Sequence, residues 1–129
     1  MRLVRNRKSA FTLVEIMIVV AIIGLLAAIA IPSFVRARKS AQANACINNL
    51  RIIDAAKQQW AIENNKSPND LPTKNDIAPY IGRNQNIANV ICPSGGTSFD
   101  DSYDINSVAQ PPTCKIGASF NDYPHVLKN

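Results

Sequence analysis

The side chains best suited to soft-metal binding or covalent cross-linking in this 129-residue chain are three cysteines, Cys46, Cys92 and Cys114, and the single histidine, His125. In an oxidising compartment Cys92 and Cys114 are the disulfide candidates, because they bracket a β-prone stretch. Closing that loop of about twenty residues would contribute roughly 3 kcal/mol by restricting the unfolded chain. Cys46 lies beside Ile47 on an apolar helical stripe and reads as a small buried hydrophobe, with a bridge to the sheet as the alternative. A Cys3His zinc site that recruits His125 is set aside, since neither C-x-x-C nor H-x-x-x-H spacing is present, and no metal site is expected. Asp100, Asp101 and Asp104 in "FDDSYD" are calcium candidates, but they lack EF-hand spacing and a solvated acidic loop is the expectation. No other cofactor is indicated. No Ser-His-Asp set, phosphate-binding loop or paired carboxylates can be recognised, so the chain is not read as an enzyme. Asn65-Lys66-Ser67 fits the N-x-S acceptor pattern, a match common by chance.

One more charged group stands out by its surroundings. Glu15 is the only charge in "FTLVEIMIVVAIIGLLAAIAI", the 21 residues from Phe11 to Ile31. A helix of that length spans roughly 30 Å, enough to cross the hydrocarbon core of a bilayer. A carboxylate there is costly unless a positive group meets it. Ordinary secretory cleavage after "LAAIA" is disfavoured, because Glu15 would then interrupt the apolar region of the signal.

The basic residues are placed to flank this run. Arg2, Arg5, Arg7 and Lys8 precede it, and Arg36, Arg38 and Lys39 follow it. The formal net charge is +5, yet residues 40–129 carry seven Lys or Arg against eight acids. A near-neutral remainder gives no compositional support to nucleic-acid binding. Gly24 and Pro32 are the weak points of the helix, and Pro32, which lacks an N–H, is expected to kink or loosen it.

"KSAFTLVEIMIVVAIIGLLAAIAIPSF" resembles the N-terminus of type IV pilins and of the pseudopilins of type II secretion. The resemblance is strong over residues 8–36. It implies that a basic leader, residues 1–10, is cut by a membrane prepilin peptidase between Ala10 and Phe11. Phe11 then becomes the N-methylated first residue, and Glu15 takes the fifth mature position, where the family's glutamate pairs with the N-terminus of a neighbouring subunit during assembly. The one departure is Ala10, where the family usually carries Gly.

Residues 11–35 then form a transmembrane and assembly helix, and 36–129 a periplasmic pilin-like head. Within the head, Ala43, Ile47, Leu50, Ile53, Ala56 and Trp60 recur at steps of three or four, while Asn48, Arg51, Asp54 and Lys57 fall mostly off that stripe. The helix should therefore continue in amphipathic form to about residue 65, ahead of Pro68. A short helical turn is expected over Lys74–Ile81, stopped by Gly82, and strands are expected in "ANVICP", "SYDINSV" and "PTCKIG". Two or three short strands cannot fold alone and should pack on the helical stripe. The fold class is α+β: a long N-terminal helix, half transmembrane and half amphipathic, packed on a small antiparallel sheet.

The resemblance implies a structural subunit of a type II secretion pseudopilus, similar to the major pseudopilin, that helps protein export across the outer membrane. The alternatives are a type IV pilus subunit for adhesion, motility or DNA uptake and, from another class, a single-span membrane-anchored binding module. The implied partners are further copies of itself, minor pilins or pseudopilins, the prepilin peptidase, an inner-membrane assembly platform and membrane lipid, with no nucleic acid directly indicated. The implied location is the bacterial inner membrane, single-pass with a periplasmic head. After assembly the filament would lie in the periplasm or at the cell surface.

Overall fold

The structure, a computed structural model, describes residues 10–82 and 86–128. It separates into two compact units, Met1–Arg36 and Ala37–Asn129. Apart from Ala10, the expected leader lies outside the described residues. A single helix, α1 (Leu13–Glu63), contributes to both units. In the first unit every described residue from Ala10 to Arg36 is exposed except the half-buried Ala27. The backbone stays helical through Gly24 and Pro32. Pro32 offers no N–H to the carbonyl four residues earlier, at Ala28. A Cβ at Gly24 would meet nothing within 4 Å, so packing inside this chain does not require glycine there.

In the second unit the same helix acquires a buried face, because the rest of the unit covers it. Ala43, Cys46, Leu50, Ile53, Ala56, Lys57, Trp60 and Ala61 are buried. The expected stripe is largely present, with two changes. Cys46 rather than Ile47 occupies the first turn of the stripe, Ile47 being only half-buried. Lys57, expected off the stripe, is fully buried on it. Its Nζ donates to the carbonyls of Ile105 (3.0 Å) and Gln110 and lies 3.7 Å from Asp54. The step from Ile53 to Lys57 to Trp60 keeps the helical period, and two main-chain carbonyls make the site tolerable for an ammonium.

After α1 the chain forms α2 (Lys74–Ile77), which runs into a 3₁₀ turn at Ala78–Tyr80, matching the expected helical turn over Lys74–Ile81. Thr73 and Asp76 close a capping box at its start. "ANVICP" is not a strand. Its first two residues end a 3₁₀ turn, Ile87–Asn89, and the rest is open chain. Next come α3 (Phe99–Ser102), capped by Ser98 and Asp101, and two strands, β1 (Tyr103–Asp104) and β2 (Thr113–Cys114). These pair antiparallel, with Tyr103 opposite Cys114.

So short a ladder satisfies little backbone, and side chains of α1 supply donors instead. Gln42 donates to Pro93 O, Asn49 to Ile91 O and to the Tyr103 hydroxyl, and Gln58 to Val108 O. Ile91, expected in a strand, is thus tied to the helix by a side-chain amide. The main core of the head comprises Cys46, Leu50, Ile53, Ile77, Ile81, Val90, Cys92, Phe99, Tyr103 and Cys114, among others.

Candidate functional site

Two places in the chain gather chemically capable groups, one in each unit. In the first, Thr12 and Glu15 form a capping box at the start of α1. Thr12 N–H donates to Glu15 Oε2 (3.1 Å), and Glu15 N–H donates to Thr12 Oγ1 (3.2 Å). The T-x-x-E spacing in "FTLVE" is the sequence signature of such a cap. The box satisfies two of the helix's orphan N–H groups and holds the carboxylate beside the peptide that links Phe11 to Thr12. Phe11, Leu13, Val14, Ile16 and Met17 around it are all more than half exposed. The segment is long and apolar enough to cross a membrane, and none of its most apolar window is buried.

The second place is the core of the head. Cys46 comes from α1, Cys92 from the open chain after the 3₁₀ turn, Cys114 from β2 and His125 from the segment that follows. Their ligand atoms all lie within 4.8 Å of one another. Cys46 is 0%, Cys92 1%, Cys114 1% and His125 1% exposed. Cys92 Sγ is 3.7 Å from Cys114 Sγ, and the three cysteines are free thiols. The Cys92–Cys114 pair singled out in the sequence is therefore adjacent in space, together with two groups not expected to join it. Absence of short ligand spacing argues against a Cys3His set with His125, yet the fold gathers it, because each member comes from a different segment.

Several contacts fix this cluster. Tyr103 Oη points to Cys46 Sγ at 3.6 Å and itself accepts from Asn49 at 3.0 Å. The Gly117 N–H donates to Cys114 Sγ at 3.3 Å, and a Ser94 backbone N–H donates to Cys92. Gly117 O accepts the His125 N–H at 2.9 Å, and a Cβ on Gly117 would overlap the imidazole. Phe120 meets the ring edge-on, with centroids 5.3 Å apart. Burial pushes the Cys46 and Cys92 thiols up and the His125 imidazole down, so all three are neutral at physiological pH.

The calcium candidates do not converge. Asp100 pairs with Lys74 at 3.1 Å and Asp104 with Lys115 at 3.3 Å, while the Asp101 carboxylate accepts from Thr97 and Ser98. Those hydrogen bonds hold the Asp101 carboxyl well below the usual carboxylate range. Among the described residues the thiol–imidazole cluster is the group with metal-ligand geometry.

Residues 5–31 match the family described as the prokaryotic N-terminal methylation motif. The chain is 32% identical over 114 residues to the type IV major pilin protein PilA of Myxococcus xanthus, covering 88% of this chain and 51% of that protein. It is 46% identical over 63 residues to the type IV wide pilus major component PilA4 of Thermus thermophilus, covering 47% and 46%. It is 28% identical over 64 residues to type II secretion system core protein G of Aeromonas hydrophila, covering 50% and 45%. The chain spans about half the length of these curated relatives. No solved structure matches it.

Proposed function

The chain belongs to the type IV pilin and pseudopilin family, and from that premise we propose that it is a filament subunit that polymerises through the exposed apolar part of α1. Family membership points to a structural role rather than an enzymatic one. The observation that carries the reading is the apolar run after Phe11, exposed on all sides and interrupted only by Glu15. Such a surface is stable only in lipid or against other copies of the helix. The motif and the helix fit a single-pass inner-membrane anchor, and we place the head in the periplasm on the family's pattern.

Processing before Phe11 would free an α-amino group beside Thr12. Glu15 already bonds the Thr12 N–H, so its carboxylate stands at the end of the helix where that cation would appear. On joining a filament, Glu15 would exchange the local cap for the amine of a neighbouring copy. An unpaired acidic residue costs roughly 2.5 to 3.5 kcal/mol at the centre of a membrane helix, and less near an interface, so pairing biases the subunit toward assembly.

Of the two filament systems, the long match to PilA favours a type IV pilus subunit, because it extends over 88% of this chain. The pseudopilus reading is supported by several relatives named type II secretion system core protein G, matched over about half the chain. The partners are then further copies and minor subunits, the prepilin peptidase and an assembly platform. Intact-mass measurement on membranes that contain a prepilin peptidase tests the shared part: residues 11–129 plus one methyl group are expected. Uncut chain would move the anchored-module reading to the front. Deleting the gene separates the two systems. Loss of surface filaments with normal protein release indicates a pilus, and the reverse outcome indicates a pseudopilus.

A further inference from the structure

The ligand atoms of Cys46, Cys92, Cys114 and His125 lie close enough together to share one ion. A zinc ion bonded to three sulfurs at about 2.3 Å and one imidazole nitrogen at about 2.0–2.1 Å holds sulfurs about 3.8 Å apart and each sulfur about 3.5 Å from the nitrogen. The chain places Cys92 and Cys114 Sγ 3.7 Å apart, with His125 Nδ1 3.6 Å from the first and 3.8 Å from the second. Cys46 completes the set within 4.8 Å.

Three buried cysteines could be small core residues and nothing more. The imidazole is what ordinary packing does not explain. His125 is buried with Nδ1 directed at two sulfurs, which are weak hydrogen-bond partners, where an aliphatic side chain would pack without leaving a ring nitrogen poorly satisfied. Two of the sulfurs also receive main-chain N–H groups, from Ser94 and Gly117, the kind of outer contact that orients a metal-bound sulfur. Gly117 has a second part: its carbonyl holds the His125 backbone, and its missing Cβ leaves room for the ring. Beside His125 lies a cavity of about 380 Å³ lined by Lys39, Gln42, Ser94, Phe120 and Tyr123, which gives an ion a route to the cluster.

We propose that the head binds one structural zinc ion through Cys46 Sγ, Cys92 Sγ, Cys114 Sγ and His125 Nδ1. Binding converts three thiols to thiolates and releases three protons to solvent, while the neutral imidazole keeps its proton on Nε2. The ion would join α1, the chain after the 3₁₀ turn, β2 and the segment around His125 at one point. A head whose sheet consists of two two-residue strands gains from such a staple what a larger core would otherwise provide. A Cys92–Cys114 disulfide is the exclusive alternative, since bridged sulfurs are no longer thiolate ligands.

The test uses the full chain in detergent, extracted from membranes anaerobically without chelator. Elemental analysis should find about one zinc per chain, with an intact mass showing three unmodified cysteines. Exchange with cobalt should give the visible bands of a tetrahedral thiolate site. Cys114→Ser and His125→Ala should each lower metal content at least tenfold. His125→Cys, which retains a ligand, should keep zinc and thereby separate lost coordination from lost folding. A zinc-free protein lighter by two hydrogens would overturn the proposal, as would zinc that persists in both ligand-removing variants. Because the measurement reads the head alone, it stands or falls separately from filament assembly.

Discussion

Glu15 and Lys57 are charged residues within apolar stretches of the same helix, and the chain treats them in opposite ways. Glu15 is exposed, and among the described residues its side-chain hydrogen bond is to Thr12, three residues away. Lys57 is fully buried, and its partners at Ile105 and Gln110 come from a distant loop. The difference follows from what covers each half of α1. Around Lys57 the chain brings its own polar groups to the helix, so a charge can serve as a strap for the 105–110 loop. Around Glu15 the hydrogen bonds recorded among the described residues are those with Thr12. A buried charge satisfied within the fold contributes to architecture; under the proposed function, the exposed charge with a local cap is the one that serves assembly.

The largest effect that follows is on filaments. Glu15→Ala removes both the cost of the lone carboxylate in lipid and its pairing in the assembled state, and should lower sheared-filament yield by about a hundredfold. Head stability, measured by denaturant unfolding in detergent, should be unchanged. Normal assembly of that variant would break the comparison and favour an anchored module. Lys57→Met should act the other way round. It leaves the Ile105 and Gln110 carbonyls without their donor and should destabilise the head by about 3 kcal/mol.

The same substitution gives a pH signature. Burial pushes the Lys57 ammonium below its ordinary value of 10.5, opposed in part by Asp54. Between the lowered value and 10.5 the unfolded state therefore holds more protons than the native one, and wild-type stability should gain with rising pH relative to Lys57→Met. A constant difference between the two proteins across that window would mean that Lys57 is not desolvated. Gly117→Ala is expected to cost about 1–3 kcal/mol by forcing the His125 ring to move, read as a lower unfolding midpoint.

Much of the architecture was legible because it is periodic or local. The 21-residue apolar run, the stripe through Leu50, Ile53 and Trp60, and the turn at Lys74–Ile81 all follow from spacing along the chain. The strand expected in "ANVICP" failed because its backbone finds a partner in Asn49 of α1, a contact across 42 residues that no local pattern signals. Lys57 was misplaced because residue type outweighed helical phase, although its phase matches Ile53 and Trp60. The thiol–imidazole cluster was hidden for a related reason. Spacing rules recognise ligands supplied in pairs by one turn, and these four come from four segments.

The smallest expected effect sharpens the contrast between the two halves of α1. Thr12–Glu15, Thr73–Asp76 and Ser98–Asp101 are the same device, a hydroxyl at the cap and a carboxylate three residues on. Asp101 is exposed, and its hydrogen bonds with Thr97 and Ser98 hold its carboxyl below the ordinary value of 3.8. A carboxyl with a depressed native pKa stabilises the fold above the unfolded value and loses that contribution as pH falls through the native one. Wild-type head stability should therefore decline in acid relative to Asp101→Asn, by less than the loss in Lys57→Met, and filament yield at neutral pH should not change. The cap at Glu15 shares its spacing with the cap at Asp101 but sits in an apolar run, where the other sits in the head. If Asp101→Asn impaired assembly as Glu15→Ala should, a capped carboxylate would matter to filaments wherever it sits, and the apolar run around Glu15 would lose its special part. If only Glu15 matters, a common helix cap has become an assembly contact because it is exposed within an apolar run.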